Sequence, residues 1–136
     1  MLTQKLLEAI KTLDNLIEIT KNDIQNIKIA NHDAVFSNTL PKEELAEKFY
    51  RLKNEIDMIL VKRNKPIEEI FSPEEEKLFD EFREKLNEFY TLHKHFSRLA
   101  LSVANFYNAL AAQLKDEKAV DYKNSASFDS KLQLKA

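Results

Sequence analysis

The 136-residue chain contains no glycine, no cysteine and no tryptophan, and only three prolines. Average usage would supply about nine glycines. Glycine provides the positive-φ positions of tight turns and of phosphate-cradling loops. Its absence removes P-loops, dinucleotide fingerprints, nucleophile elbows and EF-hand loops from consideration, and disfavours many short strands joined by tight hairpins. Without cysteine there is no disulfide framework, no thiolate nucleophile and no Cys-ligated zinc site. Long apolar runs are also missing. No stretch approaches the ~18 residues of a membrane span, and Glu8 and Asp14 interrupt the N-terminal segment where a signal peptide needs an unbroken apolar core. Charge of one sign is lacking too: 21 Lys and Arg stand against 23 Asp and Glu, giving a net charge of −2. No basic nucleic-acid footprint is present. These absences point to a helical, cytoplasmic binding protein rather than an enzyme, with no cofactor and no stable membrane insertion.

What the chain has in quantity is heptad periodicity. Leu6, Ile10, Leu13, Ile17, Thr20, Ile24, Ile27, Asn31 and Ala34 alternate three and four residues apart, and Leu2, Ala9, Leu16 and Ala30 widen the stripe. Thr20 and Asn31 are polar positions within it. This pattern predicts a first helix over about 3–36. Ser37-Asn38-Thr39 reads as a loop or a frayed helix end, and Pro41 fits only a first turn. A second helix is expected over about 42–63, with Leu45, Phe49, Leu52, Ile56 and Ile59 as its seam and Pro66 beyond its end. Ser72-Pro73-Glu74-Glu75 carries the capping-box pattern and opens a third helix over about 73–115. There Phe79, Phe82, Leu86, Phe89, His93, Phe96, Ala100, Val103, Tyr107, Leu110 and Leu114 keep heptad spacing. The pattern fails after Leu114, and 119–136 is rich in Ser, Asn and Lys, the composition of a flexible tail. The expected architecture is all-α: an antiparallel three-helix bundle over 1–118 with coiled-coil-like packing, a long third helix and a flexible C-terminal tail.

The third helix is about twice the length of the second. Antiparallel neighbours joined by short connections start near each other's ends, so its C-terminal half should project past the bundle. That half carries Phe96, Leu99, Val103, Phe106, Tyr107, Leu110 and Leu114, a stripe that needs a cover. The cover could be a client helix, the tail, or a second copy of the chain in a homodimer.

Catalytic and metal chemistry find little support. His93 and His95 are two apart and do not share a helix face, so neither is expected to hold a metal. His93 is expected in the seam and His95 on the surface. His95 also invites a phosphotransfer reading, but Leu99 stands where that chemistry needs glycine. Glu74, Glu75 and Glu76 are read as a first turn satisfying its helix dipole.

Together, the Leu-rich first helix with Asp33 near its end, the Lys42-Glu43-x-Leu45 segment, Asn105-Phe106-Tyr107-Asn108 and Asp121-Tyr122-Lys123-Asn124 resemble the FlgN family of flagellar export chaperones. The resemblance runs over nearly the whole chain. It implies a cytoplasmic chaperone that binds the amphipathic terminal helices of hook-filament junction (hook-associated) proteins. Such a chaperone prevents premature assembly and delivers its clients to the type III export gate of the bacterial flagellum. It also implies client binding by the third helix from about Phe96 together with the tail, and export-gate docking by Tyr122. The alternative expectation is a homo-oligomeric coiled-coil scaffold.

Overall fold

A computed structural model describes residues 1–117. Four α-helices account for most of them: α1 (Leu2–Lys28), α2 (His32–Ser37), α3 (Thr39–Arg63) and α4 (Pro73–Glu117), with a 3-10 turn at Ile67–Glu69 before α4. No strand occurs among the described residues. The expected tail, 119–136, lies outside them.

The apolar stripe of α1 is the axis of the molecule, since α1 packs against both α3 and α4. All of the expected α1 seam from Leu6 to Ile27 is buried, and Leu2, Ala9 and Leu16 are buried beside it. One core cluster joins Leu2, Leu6, Ala9, Ile10, Leu13 and Leu16 to Phe49, Leu52 and Ile56 of α3 and Phe82 of α4. Phe82 stacks on Phe49 at 5.9 Å and on Phe79 at 6.0 Å. A second cluster joins Ile24 and Ile27 to Val35 of α2 and to Phe96 and Ala100 of α4. Contacts along α1 and α4 therefore follow the same order, from Phe82 near the start of α1 to Phe96 near its end. Ion pairs between α1 and α3 follow the reverse order, Lys5 with Glu55 and Asp23 with Lys42.

The first helix is shorter than its periodicity predicts. It ends at Lys28, and Ala30 takes φ 59°. The Ala30 N–H donates to the Ile27 carbonyl and the Asn31 N–H to the Asn26 carbonyl, the paired bonds of a Schellman cap. Glycine is the ordinary residue there; alanine adopts it at a cost of about 1–2 kcal/mol. Asn31, expected in the seam, is exposed, and its amide faces Asn26. Residues 32–36, expected as the end of the first helix, belong with Ser37 to the separate α2, and α3 begins at Thr39, three residues before the expected start. Pro41 lies in the first turn of α3, where its missing N–H has no intrahelical partner to lose.

The α4 start matches its sequence signal. The Ser72 N–H donates to Glu75 Oε1 at 2.9 Å, and the Glu75 N–H donates to Ser72 Oγ at 3.3 Å. Glu75 also accepts two bonds from the Arg63 guanidinium, at 2.6 and 2.7 Å, while Arg63 donates to the Ile70 carbonyl at 2.7 Å. One carboxylate thus caps α4 and ties it to the end of α3. The Arg63 bonds, opposed by burial, hold the Glu75 carboxyl at about 2.

Candidate functional site

Helix α4 has 45 residues and α1 has 27. At ~1.5 Å per residue, α4 is longer by roughly 27 Å. The two start near the same end of the bundle, so the excess falls at the C-terminal end of α4. Among the described side chains, Ala104 is the last buried one on that helix. Beyond it, Phe106 is 64% exposed and Leu110 and Leu114 are each 41% exposed. Steps of four keep these three side chains on one helix face, with Tyr107 and Ala111 beside them. This face continues the column of Phe96, Leu99, Ala100 and Val103 that α1 and α2 cover lower down. Tyr107 is half-buried, with its ring edge-on to His32 at 6.2 Å.

The expected stripe is therefore split. Phe96 is 1% exposed, and Leu99 and Val103 are half-buried against the second core cluster. These three do not belong to a free face. Cover reaches further than the length of α3 alone implies, because α1 lies alongside α4 and Val35 of α2 closes over Phe96. Phe106, Leu110 and Leu114 remain accessible, with Tyr107 at their edge. Tyr122 lies outside the described residues.

The same segment is unusual in charge. From Leu99 to Leu114 there is no Asp, Glu, Lys, Arg or His, although 32% of the chain is charged. A helix turn without charge on any side suits contact with another apolar surface better than contact with water.

Below this stripe, α1, α3 and α4 meet at a polar cluster. Asp23, 1% exposed, accepts bonds from Asn38 Nδ2 at 2.8 Å and from Lys42 Nζ at 3.1 Å. The Lys42 ammonium lies 3.8 Å from the centre of the Phe96 ring. Burial lowers the pKa of Lys42, and the attraction of Asp23 opposes that shift. His93 stacks between Phe89 and Phe96, its Nδ1 buried without a hydrogen-bond partner, and burial followed by repulsion from Lys42 lowers its pKa. Asp23, Lys42, His93 and Phe96 are among the residues lining a pocket of about 140 Å³. The pair of Asp23 and Lys42 ties the first turn of α3 to the C-terminal part of α1.

His93 is in the seam and His95 on the surface, as their positions predict. Among the described residues no group of His, Asp or Glu side chains is arranged to hold a metal ion. Asp23 escaped the sequence reading. It stands three residues after Thr20 and four before Ile27, inside the apolar stripe, and an acid in that place signals a buried partner. No family model, curated protein or solved structure matches the chain. No helix among the described residues is long and apolar enough to cross a membrane.

Proposed function

We propose that this protein is a non-enzymatic export chaperone of the FlgN kind. It would act in the cytoplasm on amphipathic terminal helices of flagellar hook-associated proteins and pass them to an export-gate component. The observation that carries this reading is the exposed, uncharged column of Phe106, Leu110 and Leu114 in line with a covered seam. A helix laid along that column would extend α1's line of packing past Ala30, which is helix-in-groove recognition. Burial of these side chains, at ~25 cal/mol per Å² less ordering costs, supplies affinity without a nucleotide. The reading takes the three long helices as an antiparallel bundle with coiled-coil-like packing, in which α3 runs against α1 and α4.

The test is light scattering of the full chain, alone and mixed with the terminal helices of a hook-associated protein. A one-to-one complex is expected, and Phe106→Asp should abolish it while leaving helix content intact, because a desolvated carboxylate would face an apolar partner. A chain that stays a stable oligomer and ignores the client would favour the homo-oligomeric scaffold.

A further inference from the structure

The outer face of α4, away from α1, has a charge distribution the packing does not require. Glu88 is the last carboxylate on this helix before Asp116, yet Lys94, His95 and Arg98 fall between them. All three are exposed, and none forms an ion pair among the described residues. Elsewhere Lys5 pairs with Glu55, Lys53 with Asp57, Arg83 with Asp80 and Lys85 with Asp14, whereas Lys94 and Arg98 have no carboxylate within four residues on either side of them on α4. Tyr90, Thr91, Lys94, His95 and Arg98 line an open groove. Tyr90 is 58% exposed at its lower end, and Leu101, 46% exposed, follows Arg98 by three residues on the same face.

We propose that this face, from Tyr90 to Leu101, docks an acidic helical segment of a partner protein. Lys94 and Arg98 are one turn apart, about 6 Å along the axis. Carboxylates spaced by one turn on a partner helix match them. The Arg98 guanidinium can take one carboxylate through two parallel bonds, and the Lys94 ammonium takes its neighbour as a point charge. Tyr90 and Leu101 give apolar contact at the two ends, the composition of an interface anchor flanked by charge. Two cations, Lys94 and Arg98, on a chain of net charge −2 fall short of the four to eight that mark recognition of an anionic membrane.

The test uses the full chain and a fluorescein-labelled helical peptide carrying pairs of glutamates one turn apart with leucines beside them. Binding is expected at low ionic strength, weakening as salt is raised. Lys94→Glu combined with Arg98→Glu should weaken it at least about tenfold, since like charges would then face each other. Lys94→Ala with Arg98→Ala should weaken it less. Lys48→Glu on α3 should leave it unchanged, and circular dichroism should show every variant folded. Absence of binding at low ionic strength would overturn the proposal, as would equal binding by the charge-reversed variant. So would a preference of this face for phosphatidylserine vesicles or a single-stranded oligonucleotide over the peptide, lost in the same variant.

Discussion

From Pro73 to Arg98, α4 sets an apolar column against its neighbours and lines its outer face with acids and bases; from Leu99 to Leu114 it has no charge on any side. The helix is continuous and its heptad spacing does not change between the two parts. Only the cover changes: Phe82 and Phe96 lie under α1, α2 or α3, while Phe106 and Leu110 are exposed, with α2 reaching only the edge of their column at Tyr107. Identical spacing thus serves stability in one half and leaves surface for recognition in the other. What separates the halves is the length of the neighbours.

Several substitutions would break or sharpen this contrast. The largest effect is expected in the covered half. Phe82→Ala should cost about 3–5 kcal/mol, read as a lower urea midpoint, because both stacked rings lose their partner. Asp23→Ala, at the upper end of the covered region, should cost a similar ~3–5 kcal/mol by leaving Lys42 buried without its carboxylate. Adding Lys42→Met should recover most of that loss, which a double-mutant cycle would measure.

Glu75→Gln should cost about 1–3 kcal/mol by weakening the anchor of the covered half. Its pH dependence has a definite sign. The folded-state carboxyl is depressed from 4.5 to about 2, chiefly by Arg63. The stabilisation is therefore full above 4.5 and lost as pH falls toward 2. The gap in melting temperature between the wild type and Glu75→Gln should be constant near neutrality and close through that window.

Ala30→Gly should stabilise the fold by about 1 kcal/mol, because the left-handed cap no longer strains a Cβ. A loss of stability there would show that the cap opens and α1 extends along α4. Phe106→Asp should be smallest, within about 0.5 kcal/mol in thermal melts. A large loss would mean that the distal column is already covered in the free protein, by a second copy or by another part of the chain.

Much of the packing was legible in the sequence. The seam residues of α1 from Leu6 to Ile27 are buried because heptad spacing alone puts them on one face. The Ser72–Glu75 box is local, with both partners within one turn, so the sequence pattern specifies its geometry. The end of α1 was not legible. An alanine is the best helix former, and nothing in its identity announces φ 59° at residue 30. The free part of α4 was half legible: an overhang was expected, but Phe96, Leu99 and Val103 were placed on it.

The sequence by itself determined the helices, their apolar faces, the start of α4 and the uncharged run from Leu99 to Leu114, because each depends on residues within a few turns of one another. Tertiary structure decided where α1 stops, that Asn38 and Lys42 meet Asp23, and that Val35 closes over Phe96. Those outcomes depend on which helix lies beside which and how far it reaches, and helical periodicity carries no information about either.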